Sequence, residues 1–241
     1  MQLSKRVWLV IGLVAVLLAA GAAATLSWLA ASVPSAAVLR GQGQFVTVLD
    51  PSVPFQLEPP LPGWHHRKFW LTPPMQLSFA TVDGVPALRC ETNAGGSIYG
   101  RHTDIEPARF PVLVWRWRVG TPVPTGHDER VRAGDDHPVR WFIEFRDSAA
   151  TAHRAEIIWS NGAFKRGEYK YIGNFPHYVA DGGDENVGPW RDERADLEQI
   201  YRDITKRTDA ARLTYIGVIC DSDNTKTRTV AYTAASRLQP R

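Results

Sequence analysis

Val112-Leu113-Val114-Trp115-Arg116-Trp117-Arg118-Val119 alternates its side chains with a period of two. In a strand, neighbouring side chains point to opposite faces. One face therefore carries Leu113, Trp115, Trp117 and Val119, and the other Val112, Val114, Arg116 and Arg118. Arg140-Trp-Phe-Ile-Glu-Phe145 reads the same way, with Trp141, Ile143 and Phe145 opposite Arg140, Phe142 and Glu144. Paired, two such strands would bury a row of tryptophans, which supplies much of the area a core needs. Their other faces would form a charged surface of Arg116, Arg118, Arg140 and Glu144, read first as an ion-pair ladder and second as a site.

Working outward, further strand signals recur between Gly, Pro, Asp and Asn punctuation. They are 45–49, 76–81, 87–91, 139–145, 155–160, 213–220 and 228–238. One helix is expected over Asp192–Lys206, where Leu197, Ile200, Tyr201 and Ile204 recur at three and four residues. Many short strands with one helix and no βαβ order predict an all-β, two-sheet antiparallel sandwich of jelly-roll type.

Lys5 and Arg6 precede an uncharged, largely apolar run from Val7 to Ala31, with Trp8 and Trp28 near its ends. As a helix the tryptophan-to-tryptophan span is roughly 30 Å, the thickness of a bilayer's hydrocarbon core. Interfacial tryptophans and a positive inner flank are what a single-pass anchor needs. A cleavable signal with Ala22-Ala23-Ala24 as its A-x-A site is the competing reading, but the apolar run continues past Ala24. Both readings need export. The expected layout is a cytoplasmic segment (1–6), an anchor in the inner membrane (7–31), a proline-rich tether (32–62) and a periplasmic sandwich (63–241).

The chain has 28 basic and 25 acidic residues; removing Lys5 and Arg6 leaves 26 against 25. A near-neutral exported part does not signal nucleic acid, which would require a concentrated basic stripe, and no nucleic-acid partner is expected. Cys90 and Cys220 are the two cysteines, and their number and spacing exclude a zinc motif. Export would permit a disulfide. Both lie in strand-like runs, however, and two buried free thiols acting as small hydrophobes is the preferred reading.

The run 113–119, then Gly134-Asp135-Asp136-His-Pro-Val-Arg140, Trp190-Arg-Asp-Glu-Arg194 and Cys220-Asp221-Ser-Asp223-Asn224-Thr225 occur in an order that resembles the bacterial domain-of-unknown-function 3047 family. The resemblance covers roughly 45–238. It implies an exported β-sandwich akin to carbohydrate-binding and lectin-like jelly rolls, and it implies no activity. Asp135, Asp136, Arg140, Asp221, Asp223 and Asn224 are its motif positions, expected to meet at one rim with Arg140 bonded to an aspartate.

Asp221–Thr225 offers five oxygen-bearing side chains in a row, and 181–186 offers four. Counted from Asp221, the EF-hand positions for Gly and Glu hold Lys226 and Tyr232. An Asx-turn is the first reading, calcium the second, and no cofactor is required. Glu144 and Glu156, with Asp223 third, are the best-placed carboxylates for glycoside hydrolysis, though isolated strand carboxylates usually face solvent or an arginine. No Gly-x-Ser-x-Gly, His-Glu-x-x-His or phosphate loop occurs. The histidines read as surface residues. Trp64, Trp70, Tyr169, Tyr171, Phe175, Tyr178 and Trp190 lie outside the clear strands, free to stack on a glycan, dock a partner or pack under loops. The functional expectation is a membrane-anchored accessory subunit of a membrane-protein complex, because Ala15, Ala19 and Gly21–Ala24 would let helices approach closely in lipid. A carbohydrate-binding module or glycosidase is the alternative.

Overall fold

The computed structural model describes residues 37–124 and 126–241. In chain order they form β1 (Leu39–Arg40), β2 (Val46–Leu49), β3 (Trp64–Lys68), β4 (Gln76–Val82), β5 (Val85–Asn93), β6 (Gly96–Ile105), β7 (Val112–Thr121), β8 (Arg140–Arg146) and β9 (Ala152–Ser160). Then follow β10 (Tyr169–Ile172), β11 (Phe175–Gly182), β12 (Arg191–Asp196), α1 (Leu197–Thr205), β13 (Arg212–Asp221) and β14 (Arg228–Gln239). The strands make an all-β sandwich of two sheets. One runs β1-β6-β13-β8-β9-β11-β10, with β3 also on β6; the other runs β12-β7-β14-β5-β4, with β2 on β14.

The alternation in β7 and β8 holds, but the strands do not pair. They lie in different sheets, and their tryptophans meet across the sandwich instead. Trp115 contacts Trp117 and Trp141 edge-to-face, with ring centroids 5.1 and 6.4 Å apart, and Trp117 reaches Trp159 at 6.0 Å. All four are buried. The charged surface expected from pairing is thereby divided: Arg116 and Arg118 stand outside one sheet, Arg140 and Glu144 outside the other. Period two specifies a face, and nothing in it selects the neighbouring strand.

The expected helix is half strand. Over Arg191–Asp196, Glu193 and Ala195 turn inward while Asp192 and Arg194 turn out, and the segment pairs with β7. The helix starts at Leu197, where the Asp196 side chain caps it by accepting the Gln199 N–H at 2.9 Å. Leu197, Ile200 and Tyr201 are buried as anticipated. It ends at Lys206, in the left-handed conformation.

Pairing is antiparallel except for β1 with β6 and β9 with β11. The second exception arises because the chain leaves β9, forms β10 at the sheet edge and returns through β11 beside β9. Within the expected tether, β1 and β2 join the two sheets, and Val46, Val48 and Leu49 are core residues. The free-thiol reading is corrected too: Cys90 of β5 and Cys220 of β13 form a disulfide, Cα atoms 6.3 Å apart, bridging one sheet to the other. The expected anchor, 7–31, lies outside the described residues; among those described, no helix is long and apolar enough to cross a membrane.

Candidate functional site: a groove outside the eight-stranded sheet

Adjacent strands of the eight-stranded sheet hold Asp221 (β13), Arg140 (β8), Glu156 (β9), His177 (β11) and Lys170 (β10). Register places Phe142 opposite Glu156, Glu156 opposite His177, and His177 opposite Lys170, so these side chains share the outer face. That face is covered by the loop before β8, and the result is a buried ionic network. The Arg140 guanidinium donates to Glu156 and Asp221 and, at 3.1 Å, to the Asp135 carbonyl. Lys170 Nζ donates to Asp135 Oδ1 at 2.6 Å and to His137 Nε2 at 2.9 Å. His137 Nδ1 donates in turn to the Trp159 carbonyl at 2.7 Å. With Nδ1 as donor and Nε2 as acceptor, this histidine is the neutral tautomer. Burial, with the Lys170 charge beside it, pushes its pKa down to about 4.

One guanidinium cannot neutralise two carboxylates equally. Against burial, Arg140 and His177 hold Glu156 down at about 2. Asp221 is pushed up to about 7 by burial, which outweighs its bond to Arg140, and the nearby Asp136 charge adds to the rise. Asp135 lies below the usual carboxylate range because His137, Arg140 and Lys170 outweigh its desolvation.

The two signature motifs meet at this rim. Asp136 accepts the Asn224 N–H and side-chain amide at 3.2 and 3.3 Å and the Thr225 N–H and hydroxyl at 2.6 Å each. Asp221 Oδ1 accepts the His137 N–H at 3.0 Å. Asp136, Asp221 and Asp223 bring oxygens within 4.8 Å of one another. Calcium does not fit them: the donors just named already occupy Asp136 and Asp221, Arg140 supplies the local positive charge, and six to eight free oxygens are needed. Capping backbone N–H groups is what Asp136 and Asp221 do here.

The remaining candidates are ion-paired at the surface. Arg116 Nε meets Asp192 at 2.8 Å and Arg118 meets Asp83, both outside the other sheet. Glu144 accepts from Arg154 Nε at 2.8 Å and from Thr214. Glu144 and Glu156, the hydrolysis candidates, are thus both bound by arginines. The surface reading of the histidines is corrected at two positions, since His137 and His177 are buried. Lys170 and His177 belong to the site region without any signal in spacing; His137 could have been found, because it lies inside the Gly134–Arg140 motif.

Beside the network runs a groove of two adjoining cavities, about 290 Å³ at the Arg140 end and about 500 Å³ toward Tyr215, sharing Arg67 and Phe142. Rings step along it: His65 to His102 at 4.6 Å, His102 to Tyr215 at 5.3 Å, and Tyr215 to Phe142 at 6.0 Å. Burial lowers the pKa of both histidines, favouring uncharged rings. The floor is Gly100 facing Gly217; a Cβ on Gly100 would stand 2.6 Å from the Gly217 Cα and 2.8 Å from the Tyr215 hydroxyl. Glycine keeps this surface hollow. A third cavity, about 560 Å³, lies by Phe45, Val114 and Arg116 on the opposite sheet, and no comparable series of rings lines it.

The sequence pattern of a family described as "Protein of unknown function (DUF3047)" matches residues 62–236. The chain belongs to this family. No curated protein matches this DUF3047 member in sequence. Among solved structures, it is similar to the enzymatically active domain of tailspike protein 4 from bacteriophage CBA120, at TM-score 0.37 and 11% identity over 73% of this chain. The match spans only 19% of the tailspike chain. It is also similar to the family 30 carbohydrate-binding module of the cellulosomal cellulase Cel9D-Cel44B of Clostridium thermocellum, at TM-score 0.34, 11% identity, and 73% and 86% of the two chains. A second structure of a family 30 carbohydrate-binding module gives 0.33, 11%, and 73% and 78%. Likeness at this level leaves the ligand of the DUF3047 domain to be argued from its own groove.

Proposed function

We propose that the protein is an exported, membrane-anchored, jelly-roll-like binding module that holds an oligosaccharide along the groove outside the eight-stranded sheet. The observation that carries this reading is the series His65, His102, Tyr215 and Phe142 lining an open furrow. Aromatic rings offer apolar area and polar edges together, which suits the faces and hydroxyls of a sugar. The Cys90–Cys220 disulfide supports export to an oxidising compartment, with the anchor at 7–31 and the sandwich in the periplasm. A glycan array probed with the full chain in detergent tests the reading. Binding that His102→Ala and Tyr215→Ala each weaken tenfold or more supports it; an array without hits overturns it.

A second reading, an accessory subunit docked to an integral membrane protein, is favoured by the loop Phe69-Trp70-Leu71. Trp70 is 90% exposed and Leu71 84%, and Phe69 borders the groove. Exposed consecutive apolar side chains mark contact sites. Gentle extraction followed by pull-down separates the two: a stoichiometric partner lost in Trp70→Ser favours docking, and a monomer with glycan hits favours the first.

A further inference from the structure

The charged side chains lining the groove are paired with one exception. Arg140 is held by Glu156 and Asp221, Asp135 by Lys170, and Arg154 by Glu144. The Arg67 side chain makes no ion pair or hydrogen bond among the described residues. Its register opposite Ile98 in β3 and β6 puts it on the same face as His65, and it borders both cavities, where they join. One positive charge is therefore left open at the middle of the furrow.

Close by stands a second unused donor. The Tyr215 hydroxyl is buried over Gly100 and has no hydrogen-bond partner. Burial raises its pKa, and the Arg67 charge, acting on it, only partly offsets that rise, so the phenol keeps its proton. A buried O–H without an acceptor is costly unless a ligand supplies one. The histidines beside it bring no compensating negative charge.

We infer that Arg67 and Tyr215 form a carboxylate-recognition point in the groove, making the ligand an acidic glycan whose sugar units carry uronate groups. This rests on the oligosaccharide reading above. A guanidinium fork matches a planar carboxylate in shape as well as charge. One fork and one phenol are enough donors for a singly charged carboxylate. The Glu144 carboxylate, which would otherwise repel it, is held by Arg154 and Thr214. Glu156 and Asp221, at the far end, are held by Arg140.

The test is calorimetric titration of the full chain in detergent with oligogalacturonate, oligoguluronate and oligoglucuronate, each beside its neutral methyl ester. At least one acid should bind about tenfold or more tightly than its ester, the scale of a charge-assisted hydrogen bond. Arg67→Gln, at an exposed position, should erase that preference while leaving ester binding in place. Tyr215→Phe, which keeps the ring, should reduce the preference several-fold. Equal affinity for acid and ester, or a preference surviving in Arg67→Gln, overturns the carboxylate point while the glycan reading stands. Binding confined to neutral glycans has the same meaning. An absence of binding to every uronate and every neutral glycan overturns both.

Discussion

Arg140 and Asp221 face each other across the neighbouring strands β8 and β13, 81 residues apart in the chain, and their ion pair is buried. Glu156 closes the group from the other side of Arg140. Taking away the guanidinium would strand two buried carboxylates, and uncompensated buried charge is among the most destabilising changes known. Arg140→Met should cost about 3–5 kcal/mol in urea unfolding. Arg140→Lys should recover part of that, because a point charge cannot donate a fork to both partners. A loss within the range of ordinary surface substitutions would mean the cluster is solvated in solution.

Trp117 lies at the centre of the sandwich, fully buried and touching Trp115 and Trp159. Trp117→Ala should destabilise by about 3–5 kcal/mol, as large aromatic truncations in cores do. Trp70→Ala, at the most exposed tryptophan described, should leave the unfolding midpoint unchanged. The contrast between the two, read by thermal denaturation, checks the assignment of faces.

The disulfide closes a loop with a sequence separation of 130 residues. Chain-entropy reasoning puts the stabilisation for so long a loop near 5 kcal/mol, with measured values commonly about 2–5 kcal/mol. A Cys90→Ala/Cys220→Ala chain should therefore unfold at markedly lower denaturant. Equal midpoints for the oxidised chain and the double variant would show that the bridge adds nothing to the two-sheet core.

Glu193 points inward from β12, its side chain fully buried beside Asp181, with Arg166 Nη2 at 2.6 Å. Burial and the neighbouring Asp181 push its pKa up to about 8 from an ordinary 4.5. The folded state thus binds a proton that the unfolded chain has released, and this contribution is lost as pH rises from 4.5 through 8. The slope approaches ~1.4 kcal/mol per pH unit at its steepest. Glu193→Gln should match the parent near pH 5 and become progressively more stable than it toward pH 8. Parallel stability curves would mean Arg166 keeps the carboxylate ionised throughout.

Much of the architecture was legible because it is written in side-chain alternation. β7, β8, β13 and β14 announce themselves, and the Trp115–Trp117–Trp141 cluster follows from their faces. Partnership between strands is a non-local property, so alternation alone does not tell whether β7 and β8 pair or, as they do, oppose each other across the sandwich. β6 went unread because Gly96 and Gly100 look like breaks, whereas Gly100 is there to meet Gly217. β12 carries a polar sequence whose three- and four-residue spacing mimics a helix start, and only its pairing with β7 reveals the period of two. The disulfide depends on which sheets Cys90 and Cys220 occupy, again a matter of topology. The rim was half legible: its aspartates and Arg140 stand in motifs. Lys170, on the short edge strand β10, and His177, on its neighbour β11, are polar residues outside any motif, and nothing in their spacing signals burial.

The mutual pairing of Arg154 with Glu144, and of Arg140 with Glu156 and Asp221, has a further result. Long charged side chains normally give up rotational freedom when a ligand immobilises them, about 0.5–1.5 kcal/mol each. Here they are immobilised by one another before anything arrives. Apart from Arg67, the charged wall of the groove is preorganised, and the ordering cost of association is shared between that one side chain and the incoming molecule. A stiff ligand should accordingly bind better than a floppy one bearing the same groups, and selectivity should follow ligand rigidity as well as composition.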